Sequence, residues 1–147
     1  MAEYVIRPAI SEDNLSIRKL VRQAKINPIG LHWQRFLVAQ TPENKIVACG
    51  QVKIHRGDVR ELASIAVTPD FRGGGIASAI ILKLIYSNPK PLFLVCRSSL
   101  GSFYAKFDFK SVLHDDMPAY FRRLSTLARI FSILDNGIDT LLVMRRD

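Results

Sequence analysis

The sequence of 147 residues predicts one α/β domain, spanning 1–147, that is built on a mixed sheet of about six to seven strands. Short apolar runs joined by turn-rich loops fill the first part of the chain, which is typical of an antiparallel meander. A buried strand at residues 61–68 is followed by a helix at 76–86 and by a wholly apolar strand at 92–96. A helix between two buried strands favours a right-handed crossover and a parallel pair, and this pair makes the predicted sheet mixed.

The elements at the beginning of the chain are identified from apolar spacing and from turn residues. Residues 4–8 predict a strand that ends at a proline, and residues 11–26 predict a helix with one apolar side. Ser11 is expected to cap this helix, because a serine hydroxyl accepts a free amide of the first turn. Two further strands are predicted at residues 35–40 and 46–54, with a loop of turn residues between them.

Three consecutive glycines lie between the buried strand and the helix that follows it. Gly73, Gly74 and Gly75 come directly after Arg72. A helix that starts at such a turn presents unpaired amides and about half a positive charge, and glycines let a phosphate approach the backbone closely. The residues after the glycines exclude a P-loop, and the spacing excludes the G-x-G-x-x-G dinucleotide motif. The turn therefore predicts a phosphate site, with a tight strand-to-helix connection as the alternative.

The last third of the chain predicts two helices and two strands. Residues 97–109 form a short aromatic helix, and residues 110–113 form a strand. Residues 118–134 form a longer helix that ends at the Asn-Gly pair 136–137, and residues 140–144 form the last strand.

Composition narrows the classes of partner. The formal net charge of +8 favours anionic ligands, but the basic residues are scattered without an aromatic-rich recognition motif, so nucleic acid is not expected. No apolar run reaches the roughly 18 residues of a membrane span, and the first residues do not resemble a signal peptide. Cys49 and Cys96 lie in apolar strands, which indicates reduced thiols and a cytoplasmic protein.

Two blocks of the sequence resemble a known family. RGGGIA at residues 72–77 matches the acetyl-CoA signature Q/R-x-x-G-x-G/A of the GNAT superfamily of N-acetyltransferases, and residues 66–70 look like the strand end that precedes it. Residues 97–109 resemble the second block of that family, a tyrosine-containing helix that closes in Gly-Phe. Here Asp-Phe at 108–109 replaces Gly-Phe, and aspartate tolerates the left-handed backbone conformation. Arg97 lies where many relatives carry an asparagine that helps to hold the cofactor.

The resemblance implies the GNAT acyl-CoA N-acyltransferase fold, with a splayed central parallel pair, and acetyl-CoA as cosubstrate. The strand before the glycines would bind the pantetheine arm through its main chain. The glycine turn would bind the pyrophosphate through its amides, with the Arg72 side chain in support. The cofactor-binding residues implied in this way are Ile65, Ala66, Val67, Arg72, Gly73, Gly74, Gly75, Ile76 and Ala77.

The resemblance also implies two catalytic residues. Glu61 matches a glutamate that several relatives use as general base, and strict alternation would place Ala63, Ile65 and Val67 on its face of the strand. The alternative for Glu61 is a charge at the exposed start of a strand. Tyr104 is expected to protonate the departing thiolate, with packing of the helix as its alternative.

The sequence gives fewer signals for the site where the acceptor amine would bind. In the family the segment after the first helix often borders the acceptor pocket, which makes residues 27–33 a candidate wall or, equally, a cover for the core. The helix at 118–134 is expected either to place arginines against a substrate carboxylate or to present a solvated basic face. His114 and the two aspartates at 115–116 do not form a convincing metal site, so no metal is expected.

The predicted function is transfer of an acetyl group from acetyl-CoA to a primary amine of a small molecule by direct transfer, with an amino-acid-like acceptor favoured. The alternative is a non-catalytic module of the same fold that binds acyl-CoA and regulates. The expected partner is the small-molecule amine, without membrane or nucleic acid, and a homodimer stays open.

Overall fold

The computed structural model describes residues 3–135 and 140–147, and these contain seven strands and four α-helices in the predicted order. They are β1 (Val5–Pro8), α1 (Asn14–Gln23), β2 (Phe36–Gln40), β3 (Ile46–His55), β4 (Val59–Val67), α2 (Ile76–Tyr86), β5 (Leu92–Arg97), α3 (Gly101–Ala105), β6 (Lys110–Ser111), α4 (Ala119–Asp135) and β7 (Leu141–Arg146). The strands form one sheet in the order β1-β2-β3-β4-β5-β7-β6. The predicted α/β class with a mixed sheet is confirmed.

The chain divides into two compact units, Met1–Lys53 with Leu62–Asn88 and Ile54–Glu61 with Pro89–Asp147. The single domain expected for residues 1–147 stays a prediction.

In the first unit, β1 pairs antiparallel with β2 and β2 with β3, which confirms this part of the meander. The apolar side of α1 is buried against β2, in a core that includes Ile17, Leu20, Val21, Phe36 and Val38. Helix α2 packs very closely on the sheet at Gly50. A Cβ there would lie 2.6 Å from Ile65 Cδ1 and 2.8 Å from Ile80 Cγ2, so only glycine allows this approach. The close packing fixes the position of α2, and with it the turn that precedes the helix.

In the second unit, β7 pairs antiparallel with both β5 and β6. Phe93, Met117, Phe121 and Val143 form its buried core. The rings of Phe93 and Phe121 stack with centroids 5.2 Å apart, which joins the first turn of α4 to β5.

The predicted cap at Ser11 is wrong. Ser11 Oγ donates to Glu12 Oε2 at 3.1 Å, and residues 11–13 form a 3₁₀ turn before α1. The carboxylate of Asp13 accepts the amide of Ile10 at 2.9 Å and is itself held by Arg7 at 2.7 Å. Helix α1 begins only at Asn14, and no side chain among the described residues caps its first amides, whereas Asp13 fixes the backbone that precedes the turn.

Other element ends differ by a few residues. The aromatic segment forms a 3₁₀ turn at Ser98–Leu100 and a helix only to Ala105, because Asp108 turns the chain with a φ of 66°. This left-handed aspartate is the conformation predicted for the Asp-Phe replacement. The predicted helix end at 136–137 lies outside the described residues. No helix in the described part of the chain has both the length and the apolar content to cross a membrane.

Candidate functional site

The glycine turn (residues 72–77) has the backbone geometry that its sequence predicts. Gly75 caps α2 with a φ of 82°, and Gly73 has the same φ. Glycine adopts this conformation without the steric penalty that a side chain brings. A Cβ at Gly73 or Gly75 would meet no atom within 4 Å. The turn therefore faces open space on the side where side chains are missing.

The amides of this turn form a row of free donors. The Arg72 amide donates to the Pro69 carbonyl at 3.2 Å, and the next donor with a backbone acceptor is the Ala79 amide, 3.0 Å from the Gly75 carbonyl. Within the described residues, the amides from Gly73 to Ser78 have no such acceptor. They lie at the positive end of the α2 dipole. Such a donor set, together with open space, fits a phosphate or a diphosphate.

Arg72 is exposed and extends back along the chain from the turn. Its Nε donates to the Val67 carbonyl at 3.1 Å, at the end of β4. The guanidinium group therefore connects the strand end to the glycine turn and adds a positive charge beside the free amides.

Strand β4 is distorted in its interior at Ser64, which has a φ of 59°. Ala66 is buried, whereas Ile65 and Val67 are half-buried. A left-handed residue inside a strand interrupts strict alternation. The common face expected for Glu61, Ala63, Ile65 and Val67 therefore does not follow from counting in twos.

Two buried side chains of β3 donate hydrogen bonds to the segment at residues 27–33. Lys53 Nζ donates to the Ile29 carbonyl at 2.9 Å, and Gln51 Nε2 donates to the Gly30 carbonyl at 3.2 Å. Gln51 Nε2 also donates to Ser64 Oγ at 2.8 Å. Hydrogen bonds from buried side chains to backbone carbonyls give this connection a fixed shape. Its role as an acceptor wall stays a prediction.

Glu61 lies in the second unit and is buried, with a side chain only 8% exposed. Its Oε1 is 2.7 Å from His55 Nε2, and the His55 side chain is 17% exposed. The alternative of a charge at an exposed strand start is excluded, because the strand begins at Val59 and the carboxylate is enclosed. A buried carboxylate with one hydrogen-bonded oxygen has the chemistry of a general base.

Aromatic rings enclose this hydrogen-bonded pair. The Tyr120 ring stacks on the His55 imidazole with centroids 4.0 Å apart and planes 23° apart, and Phe121 meets the imidazole edge-on at 5.8 Å. Burial, and then the charge of Glu61, raise the pKa of Tyr120. Its phenol therefore stays neutral at physiological pH. The first turn of α4 supplies both rings.

His55 was not among the functional residues predicted from the sequence. Gly57 and Asp58 have φ values of 79° and 60°. Two adjacent positive φ values are typical of the tightest hairpins. A Gly-Asp pair between two predicted strands was the signal that residues on either side return close to each other. The stacking by Tyr120 had no such signal, because α4 is distant in sequence.

Tyr104 is half-buried in α3, in the second unit. Its ring meets Phe103 edge-on at 5.1 Å and Phe109 at 6.3 Å. Burial raises the pKa of Tyr104 to about 12, with a smaller contribution from Cys96. The phenol is therefore protonated at neutral pH, which a proton donor requires.

The remaining candidate residues lie at the surface. Arg97 is exposed at the end of β5, and Arg122 and Arg123 are exposed on α4. His114 Nδ1 lies 3.7 Å from Asp115 Oδ1, a pair on the surface. Across residues 3–135 and 140–147, no group of three or more His, Cys, Asp or Glu residues is placed to hold a metal ion.

Comparison with known proteins gives one family and a set of similar structures. The family model described as an acetyltransferase (GNAT) domain matches residues 32–111, more than half of the 147 residues. A search of curated protein sequences finds no match.

Similar solved structures cover nearly the whole chain. N-acetylglutamate synthase from Neisseria gonorrhoeae, complexed with coenzyme A and N-acetyl-glutamate, is 22% identical with a TM-score of 0.73. The match covers 100% of this chain but 36% of that one, so this chain spans about a third of the enzyme. Rv2747 from Mycobacterium tuberculosis, in complex with CoA, is 22% identical with a TM-score of 0.72 over 95% of this chain and 97% of that chain. A GNAT family acetyltransferase from Staphylococcus aureus Mu50 is 14% identical with a TM-score of 0.71, over 98% of both chains.

Proposed function

The chain belongs to the GNAT acetyltransferase family, and we propose that it moves an acetyl group from acetyl-CoA to the primary amine of a small molecule. The row of free amides at the glycine turn carries this proposal. A diphosphate needs several donors that converge without a side chain in front of them, and the amides from Gly73 to Ser78 meet this need. Acetyl-CoA carries such a diphosphate and supplies an activated thioester.

The cofactor would be held by backbone more than by side chains. The amides of Gly73, Gly74, Gly75, Ile76 and Ala77 would bind the diphosphate, and Arg72 would add its charge. The main chain of Ile65, Ala66 and Val67 would bind the pantetheine arm. The positive φ of Gly73 and Gly75 supports this arrangement, because it turns successive amides outward.

Two side chains of the second unit would handle the protons. The amine must be neutral to attack the thioester carbonyl, and Glu61 would take its proton directly or through a water molecule. The C–S bond then breaks, and Tyr104 would donate its phenolic proton to the thiolate and regain one from solvent. Burial raises the pKa of Tyr104 to about 12, so the phenol carries its proton throughout the neutral range.

An amino-acid-like acceptor is the preferred substrate class. It is supported by the similarity to the Neisseria N-acetylglutamate synthase, whose acceptor is an amino acid by its name. The net charge of +8 also favours an acceptor with a carboxylate over a polycation.

The test is thiol release from acetyl-CoA with amino acids, polyamines and peptide amines, beside calorimetric binding of acetyl-CoA. We expect binding and amine-dependent thiol release that is strongest with an amino acid. Binding without turnover across the panel would favour the non-catalytic acyl-CoA-binding module. Absence of binding would overturn the assignment of the glycine turn.

A further inference from the structure

We infer that His55 is a positioning residue for Glu61: it fixes one carboxylate oxygen and leaves the other as the basic atom. This inference rests on the proposed function and deepens it. It also gives the start of α4 a role, through Tyr120.

The hydrogen bond assigns the proton on the imidazole. An ionised carboxylate can only accept, so in the 2.7 Å contact Nε2 of His55 carries the hydrogen and Oε1 of Glu61 accepts it. Nε2–H is present both in this neutral tautomer and in the imidazolium. The contact is therefore compatible with both forms of the imidazole.

The two oxygens of Glu61 therefore have different roles. Oε1 is fixed by His55, which leaves Oε2 to accept a proton. In the reaction the N–H bond of the amine breaks and an O–H bond forms at Oε2. The proton returns to solvent when Glu61 ionises again, so His55 acts through Glu61 and does not touch the substrate.

Apart from Glu61, the groups named here around the imidazole are neutral or paired with each other. From β4 it faces Glu61, and from α4 it faces Tyr120, whose phenol stays neutral, and the apolar ring of Phe121. On the adjoining turn, Arg60 Nη2 pairs with Asp58 Oδ1 at 3.2 Å. Only 17% of the His55 side chain is exposed, so these groups largely enclose the imidazole.

The test compares a substitution that keeps the donor with one that removes it. The variant His55→Gln still offers an N–H to Oε1, and we expect its kcat with the best amine substrate to stay within a few-fold of the wild-type value. The variant His55→Leu offers no donor and should lose up to about tenfold in kcat, as expected for a misplaced base, with KM for acetyl-CoA unchanged. The matched control is His114→Gln, a surface histidine of the same unit, which should leave kcat unchanged.

A second measurement does not depend on turnover. Nitrogen NMR of the wild-type protein should show Nε2 of His55 protonated, as the contact with Oε1 requires. An unprotonated Nε2, or a kcat of His55→Leu equal to that of His55→Gln, would overturn the inference while the enzyme remains an acetyltransferase. A wild-type protein that turns over no amine would instead overturn the proposed function.

Discussion

The glycine turn and the His55–Glu61–Tyr120 cluster take their polar groups from different parts of the chain, the turn from its backbone and the cluster from its side chains. The turn presents backbone donors to open space, because its glycines have no side chains that would cover the amides. The cluster encloses a carboxylate and an imidazole among aromatic rings, and its chemistry comes from the side chains that it brings together. A change in the turn should therefore act on ligand binding, whereas a change in the cluster should act on rate and on pH dependence.

The largest effect on kcat is expected at Tyr104, whose side chain is the proposed proton donor. Tyr104→Phe should lower kcat by about 1,000-fold, within the usual range for loss of a general acid or base. The affinity for acetyl-CoA should be unchanged, because the turn remains intact. In the wild type, the pKa near 12 means that the donor form is lost only as the pH rises toward that value, so no neutral or acid limb of the rate profile should come from Tyr104.

Stopped-flow thiol release and calorimetry on the same preparation would check this prediction. Tyr86→Phe is the matched control, since Tyr86 is exposed on α2. An unchanged rate for Tyr104→Phe would remove the acid role and leave packing of α3 as the function of this residue.

The second effect belongs to the turn. Gly75→Val should weaken acetyl-CoA binding by about 100-fold, because one or two charge-assisted hydrogen bonds, worth about 1.5–3 kcal/mol each, would be lost. A valine at a φ of 82° is strained, and its side chain would occupy the open space in front of the amides.

The matched control is Gly57→Val. Gly57 has a φ of 79° and, like Gly75, open space at its Cβ position, but it lies in the β3–β4 turn. Both variants should lose similar stability in thermal unfolding, and Gly75→Val should lose far more affinity. Equal affinity losses would mean that strain, and not the donor row, explains the effect.

The third effect is at Glu61. Glu61→Gln should lower kcat by about tenfold, less than direct general base catalysis usually contributes, because water can still carry the amine proton. Glutamine still accepts the hydrogen bond from His55, so thermal stability should change little. The rate profile is the decisive measurement: loss of its acid limb supports the base role, and an unchanged profile would leave proton removal to water alone.

These two regions also differ in how far the sequence predicts them. The turn is contiguous: RGGGIA contains its donors, its φ requirements and its family signature within six residues. The order of strands and helices follows from the same local signals, including Asp108 in the left-handed conformation. The cluster joins β3 and β4 to α4, which is distant in sequence, and the first turn of α4 is packed on β5 by the stacked rings of Phe93 and Phe121. The predicted cap at Ser11 is wrong because a 3₁₀ turn at Ser11–Asp13 precedes the helix, which begins at Asn14.

The smallest effect is expected inside the turn itself, at Gly74. Its φ is not positive, and a Cβ there would meet only the Phe71 carbonyl at an ordinary 3.7 Å. Gly74→Ala should therefore weaken acetyl-CoA binding by less than about tenfold, since alanine keeps the amide in place and brings little strain. Calorimetric titration of Gly74→Ala beside Gly75→Ala measures the difference. A loss at Gly74 as large as at Gly75 would show that the turn needs an empty surface along its whole length, whereas a small loss would show that the two left-handed glycines, by aiming the amides, account for the site.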